Sequence, residues 1–127
     1  MNIHEHQAKE ILKKYGAIVP AGVFSTNVDD LIEKAKNLKT EKYVLKAQIH
    51  AGGRGKGGGV KIAKSLDEVK EIANKMIGMM LITPQTPPDG KKVRKILSQR
   101  MFIIRENQKL RNSICRFCWI EKIVKIL

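Results

Sequence analysis

Hydrophobic and polar positions along the first hundred residues repeat with two different periods. In residues 4–16, 26–39 and 65–78, apolar residues recur every three or four positions, which is the period of one helix face. The sequence therefore predicts three helices. The apolar face of the first comprises Ala8, Ile11, Leu12 and Tyr15, and the buried face of the second comprises Val28, Leu31, Ile32, Ala35 and Leu38.

The predicted helices carry recognisable start and stop signals. Asn27 is a typical N-cap for the second helix. Ser65 and Glu68 have the spacing of a capping box at the start of the third. Gly16 and Gly78 suit the left-handed conformation that ends a helix.

Short apolar runs between the helices predict strands. The element order is helix, strand, helix, strand, strand, helix, strand, which indicates an α+β domain with a hairpin in its middle. Residues 79–85 fit either a strand or a loop, and residues 86–92 contain the Pro-Asp-Gly chemistry of a turn. The predicted strands occupy residues 23–26, 42–49, 59–64 and 93–97.

A glycine-rich segment, KAQIHAGGRGKGGG, spans residues 46–59 and joins two predicted strands. Residues 53–60 fit G-x-G-x-x-G-x-V, but a dinucleotide-binding turn would lead into a helix, and no Walker loop is present. Bare glycine N–H groups can converge on phosphate oxygens, and Arg54 and Lys56 could add charge. The alternative is a solvated hairpin tip without a ligand.

Lys46 lies inside the apolar strand that precedes this loop. Strand alternation places Val44 and Lys46 on one face and Tyr43, Leu45 and Ala47 on the other. An ammonium group buried in such a strand is unfavourable unless an anion pairs with it. The lysine therefore either meets an anionic ligand or extends along the surface to reach water.

Length and composition narrow the class of protein. A chain of 127 residues predicts one domain. The sequence contains no run of 18 apolar residues, so it predicts no membrane span. The first residues resemble neither a secretory signal nor a transit peptide, which predicts a cytoplasmic protein. The net charge is +13, and over half of it lies in residues 94–127.

The basic tail also holds the two cysteines, Cys115 and Cys118. Their spacing fits a redox pair or half a metal site, but no second pair of ligands accompanies them, so two unrelated thiols are the simpler interpretation. A basic block could bind nucleic acid. The tail lacks a recognisable nucleic-acid-binding motif, so we do not expect that function.

Three segments together carry a family resemblance: MNIHEHQAKEILKKYG, VLKAQIHAGGRGKGGGVKIAKS and QTPPDGKKVRKIL. From Met1 to about Leu97 the chain closely resembles the start of the beta subunits of succinate–CoA ligases. The resemblance implies an ATP-grasp fold, with residues 1–97 forming its first subdomain. The ATP contacts that it implies are Lys46, Gly53, Arg54 and Gly55.

The resemblance also implies a reaction and partners. In the family, an alpha–beta complex passes a phosphoryl group from ATP to a histidine of the alpha subunit and then to succinate, and CoA displaces it. None of His4, His6 and His50 matches that histidine, and we interpret them as structural or surface residues. The family's Mg²⁺ ligands would lie beyond residue 127. An ATP-grasp site lies between two subdomains, and the chain would end inside or before the second, so we expect the 127-residue chain alone to be inactive. A sister ligase, such as a malate–CoA ligase, fits equally well.

Residues 98–127 do not resemble the family. When the possible codons of residues 112–122 are read two bases later, they permit LYLSILLDRK, in which L-L-D-R is nearly forced. A strand ending in Asp-Arg is what the family would have here. We therefore hypothesise that a shift of reading frame near residues 97–100 produced the tail. Coding DNA that cannot yield this string would exclude the hypothesis.

Overall fold

The computed structural model describes residues 3–101. The predictions made for the cysteine pair, for nucleic-acid binding by the tail and for the shifted reading frame fall mainly on residues 102–127, which lie outside the described residues.

The described residues form a four-stranded antiparallel sheet, three helices and a small separate hairpin. The elements are α1 (Glu5–Lys14), β1 (Gly22–Ser25), α2 (Val28–Lys36), β2 (Tyr43–Ala47), β3 (Val60–Ala63), α3 (Leu66–Met76), β4 (Met80–Leu81), β5 (Lys91–Lys92) and β6 (Ile96–Arg100). The sheet has the order β1-β6-β2-β3, and β4 pairs with β5. The predicted α+β class is confirmed. The predicted elements occur in the predicted order, but the structure adds the hairpin of β4 and β5, whose second strand lies in the segment predicted to be a turn.

Helices α2 and α3 cover one face of the sheet and form the core with it. The predicted buried face of α2 is confirmed at its centre, because Leu31 and Ala35 are fully buried. They join Leu45, Ala47 and Ile96 of the sheet in a single apolar cluster. Burial of this apolar surface is the main stabilising contribution of the fold.

The predicted N-cap of α2 is confirmed, and of the capping box predicted for α3 the Ser65 cap is confirmed. The Asn27 side chain accepts a hydrogen bond from the Asp29 N–H at 2.8 Å. The Ser65 hydroxyl accepts one from the Glu68 N–H at 3.2 Å, and the Glu68 carboxylate accepts one from the Lys64 N–H at 2.7 Å. The contacts of Asn27 and Ser65 satisfy N–H groups that a helix start otherwise leaves without partners, whereas the Glu68 carboxylate reaches the residue before the cap and not the Ser65 N–H.

The last strand differs from the predicted one. The sequence predicts a strand over residues 93–97, whereas β6 spans Ile96–Arg100 and pairs with both β1 and β2. Val93 is nevertheless fully buried, because it packs into the core just before the strand begins. The predicted domain boundary at residue 97 therefore falls inside β6.

The apolar face predicted for α1 is largely exposed in the described structure. Tyr15 is 86% exposed and Leu12 is 50% exposed, whereas the one buried residue of the helix is His6. Helix α1 lies beside β1 and contacts the sheet through polar side chains of its first turns, because Glu5 contacts Lys46 and Lys9 contacts Gln99. No helix within residues 3–101 is long and apolar enough to span a membrane.

Candidate functional site

Lys46 lies on the face of the sheet opposite the apolar core, as strand alternation predicts. Its side chain is only 5% exposed, and its Nζ lies 3.2 Å from Oε1 of Glu5. Glu5 is in the first turn of α1, which passes over this face. The anion that the sequence analysis required for a buried lysine is thus supplied, in this structure, by the chain itself.

Arg54, in the glycine loop, contacts the same carboxylate. Its Nη2 lies 2.8 Å from Oε2 of Glu5, and its Nη1 donates to the carbonyl oxygen of Ala47 at 2.7 Å. The two contacts tie the loop to the end of β2 and to α1. The guanidinium and the Lys46 ammonium therefore lie on neighbouring oxygens of one carboxylate.

A third cation completes the arrangement. Lys9, one turn after Glu5, places its Nζ 2.8 Å from Oε1 of Glu5 and also donates to the side-chain oxygen of Gln99 on β6. We call Lys9, Lys46, Arg54 and Glu5 the cation cluster. It contains three cationic groups and one anionic group, so it carries an excess of positive charge.

The protonation of the cluster follows from its contacts. Burial by itself would raise the pKa of Glu5, but the hydrogen bond from Lys9, the charges of Lys46 and Lys9 and the hydrogen bond from Arg54 lower it to about 2. Burial lowers the pKa of the Lys46 ammonium, and the nearby Glu5 charge opposes that fall. Glu5 therefore stays ionised at neutral pH and favours the charged form of Lys46.

Two glycines of the loop are required by packing. A Cβ on Gly57 would overlap the carbonyl oxygen of Ile82, and one on Gly59 would lie 2.5 Å from a methyl group of Leu81. The loop thus lies directly against residues 81–85, and Gln85 accepts a hydrogen bond from the Gly52 N–H at 2.7 Å. The sequence leaves a phosphate ligand and a solvated hairpin tip as alternative reasons for these bare positions, whereas in the structure Gly57 and Gly59 are in close contact with residues 81–82.

The first turn of the glycine loop contains backbone N–H groups that could bind a ligand. Gly57, Gly58 and Gly59 donate their N–H groups to carbonyl oxygens of the loop. The four preceding amides, of residues 53–56, have no acceptor within residues 3–101. They belong to a single turn that begins at Gly53, where φ is +74°. Successive unpaired N–H groups of this kind form a concavity that attracts anions.

Two cavities flank the cation cluster. A polar cavity of about 420 Å³ is lined by Glu5, Arg54, Gly52 and His50, among others. On the other side of Lys9, an apolar groove of about 510 Å³ runs between α1, the segment 17–22 and β1. The cluster therefore lies between a polar pocket and an apolar one.

The three histidines are structural neighbours. The ring of His4 stacks on His50 with centroids 3.9 Å apart, and His6 stacks on Phe24 at 4.1 Å. Within the part of the chain that the structure describes, no group of His, Cys, Asp and Glu is arranged to hold a metal ion.

Of the residues predicted to contact ATP, the structure brings Lys46 and Arg54 together and places Gly53 and Gly55 in the turn with unpaired amides. Lys56 is exposed and has no ion pair within residues 3–101. The sequence analysis missed Glu5. Its only signal is an acidic residue in the first turn of a helix, which usually complements the helix dipole and indicates no partner.

Comparison with known proteins identifies a matching family and several similar proteins. A family model described as an ATP-grasp domain matches residues 2–111. The subunit beta of the ADP-forming succinate–CoA ligase of Pelagibacter ubique is 66% identical over 96 residues, and those of Flavobacterium johnsoniae and Bacillus subtilis are 58% identical over 101 residues and 57% over 97.

Each of these matches covers 76% of this chain and 25% of the relative, so the chain spans about a quarter of the length of the relatives it matches. The resemblance to the start of these beta subunits is thereby confirmed. Together with the mixed helices and antiparallel sheet, the match over most of the sequence shows that the chain belongs to the ATP-grasp domain family.

Proposed function

We propose that the described part of the chain binds the phosphate tail of ATP as the N-terminal portion of a succinate–CoA ligase beta subunit. The observation that carries the proposal is the convergence of Lys46 and Arg54, from a strand and from a loop, on one point of the sheet face. The named relatives and the ATP-grasp family match support the same interpretation.

The cluster's residues would bind and orient the phosphates. The Arg54 guanidinium suits two-pronged hydrogen bonds to phosphate oxygens, and the Lys46 ammonium acts as a compact point charge. The unpaired amides of residues 53–56 would donate to further oxygens. Phosphoryl transfer depends chiefly on such positioning and charge neutralisation, since the protein contributes little covalent chemistry.

The apolar groove would hold the nucleoside. Phe24, Val19 and Pro20 give it an apolar lining, and Lys9 belongs both to the groove and to the cation cluster. A nucleotide has an apolar ring system at one end and an anionic tail at the other. The groove and the cluster lie side by side in the order that such a ligand requires.

The wider reaction is part of the proposal. ATP, succinate and CoA would give ADP, phosphate and succinyl-CoA in a cytoplasmic complex with an alpha subunit, and Mg²⁺ would be held by residues other than those described here. A sister acid, such as malate, would leave the described site unchanged. We expect the 127-residue chain alone to bind nucleotide without turnover, because an ATP-grasp site lies between two subdomains and the chain matches only about a quarter of its relatives' length.

Calorimetry with the purified chain tests the proposal. We expect ATP and inorganic tripolyphosphate to bind and to compete with each other, and adenosine to bind far more weakly, because the phosphates meet the cluster. Affinity should fall as salt rises, because dissolved ions screen the attraction between the polyanion and the positively charged cluster. Equal binding of adenosine and ATP, or no binding of ATP, would contradict the proposal.

A further inference from the structure

Glu5 joins three parts of the fold through charge. It lies in the first turn of α1, whereas Lys46 is 41 positions later on β2 and Arg54 is 49 positions later in the glycine loop. Each contact uses a specific atom: Oε1 faces the Lys46 and Lys9 ammonium groups, and Oε2 faces the guanidinium. A planar carboxylate thus fixes the separation of two groups that sequence analysis assigns to phosphate binding.

Burial makes this contact decisive for Lys46. The Lys46 side chain is 5% exposed, so water solvates its ammonium poorly and a protein anion must compensate the charge. Removing one partner of a buried ion pair leaves an uncompensated charge, which is strongly unfavourable. Arg54 is less buried, but its second contact, with the Ala47 carbonyl, fixes the guanidinium plane only while Glu5 holds the other nitrogen.

We propose that Glu5 is a positioning residue, which holds Lys46 charged and sets its spacing from Arg54 so that the two can meet a triphosphate together. The inference rests on the proposed function. The carboxylate would repel a phosphate if it acted alone, so its contribution must come through the cations that it places. Glu5 is therefore not assigned a contact with the reacting atoms.

The charged groups around Glu5 determine what its loss should do. Lys9 faces it from α1, Lys46 from β2 and Arg54 from the loop, and β6 contributes the uncharged amide of Gln99. When Glu5 is replaced by Gln, three cations remain together without an anion. Burial and mutual repulsion then favour the neutral form of Lys46 as the pH rises, and phosphate binding should become dependent on pH.

The test measures tripolyphosphate affinity of the 127-residue chain by calorimetry from pH 6.5 to 9.5. We expect the affinity of Glu5→Gln to fall about tenfold or more relative to that of the wild type across this range, and the comparison at each pH cancels the titration of tripolyphosphate itself. Glu5→Asp keeps the charge on a shorter side chain and should keep the wild-type pH profile with a somewhat lower affinity. Glu71→Gln, which removes one charge from an exposed position on α3, is the matched control and should behave as wild type.

Each other outcome has a definite meaning. If Glu5→Gln matches the wild type at every pH, Glu5 does not position the cations. If it binds more tightly at every pH, Glu5 is a competing anion and the inference is wrong. If Glu5→Gln fails to fold, Glu5→Asp decides, because wild-type affinity in that variant contradicts positioning. A wild-type chain that binds no tripolyphosphate refutes the proposed function itself, and the positioning role with it.

Discussion

The Glu5 carboxylate is the residue-scale feature on which the site depends. It is 20% exposed, and it accepts contacts from Lys9, Lys46 and Arg54 at 2.8–3.2 Å. Because these groups favour its ionised form, its pKa is lowered to about 2. A group whose pKa is lower in the folded state than in the unfolded state stabilises the fold above its unfolded pKa.

The first prediction concerns acid stability. The contribution of Glu5 is fully present above about pH 4.5 and should be lost as the pH falls through 4 towards 2. In Glu5→Gln this part of the pH dependence should disappear. The free energy of unfolding of the variant at pH 7 should be lower than that of the wild type by on the order of 2 kcal/mol, a figure reduced for solvent screening. Urea unfolding at pH 7, 4 and 3 measures it, with Glu71→Gln as the control. Parallel pH profiles for the wild type and Glu5→Gln would contradict the prediction.

The second prediction concerns the glycine loop. Gly57→Ala would push a methyl group into the carbonyl oxygen of Ile82 and should cost about 1–3 kcal/mol by displacing the loop from residues 81–85. The control is Gly58→Ala, where φ is +80° but the space is open, so only backbone strain of about 1 kcal/mol is expected. Hydrogen exchange at the Gly52 amide should accelerate in the first variant alone. Similar exchange in both variants would show that the contact with residues 81–85 does not hold the loop.

At the scale of elements, the sequence predicts features that neighbouring residues determine, but not the placement of an element by contacts with distant residues. The caps at Asn27 and Ser65 depend on neighbouring residues, so sequence spacing is enough to predict them. The strand face of Lys46 follows from the two-residue period of a strand. The position of α1 depends on contacts with strands far along the chain, and no periodicity in its own sequence encodes them.

The third prediction contrasts two leucines at helical positions. Leu12 of α1 is half-exposed and lies outside the apolar core, so Leu12→Gln should change the free energy of unfolding by no more than about 0.5 kcal/mol. Leu31 of α2 is fully buried, and Leu31→Ala should cost about 2–5 kcal/mol. Urea unfolding compares them, and a large loss of stability in Leu12→Gln would mean that α1 packs through its apolar face.

At the scale of the whole molecule, the sequence indicates the family and the cations but not how the cations are held. Lys46 and Arg54 can be identified as candidate phosphate ligands because one is a cation within an apolar strand and the other a cation within a glycine-rich loop. Their shared partner, Glu5, comes from a helix more than 40 positions earlier, and only the tertiary structure brings the three together. The glycines show a similar limit, because the sequence reveals that side chains are missing but not whether a ligand or residues 81–85 take their place.

The central claim is that this cluster meets the phosphate tail of ATP, and Lys46→Met tests it most directly. The variant should fold, because Lys9 and Arg54 still compensate the Glu5 charge. Its matched control is Lys61→Met, which removes the same charge from an exposed position on β3.

The measurement is the ATP affinity of the two variants and the wild-type chain by calorimetry at one pH and salt concentration. We predict that Lys46→Met binds ATP more weakly by about 1.5–3 kcal/mol, the contribution of a charge-assisted hydrogen bond, while Lys61→Met binds as the wild type does. Equal affinity in Lys46→Met and the wild type would contradict the account.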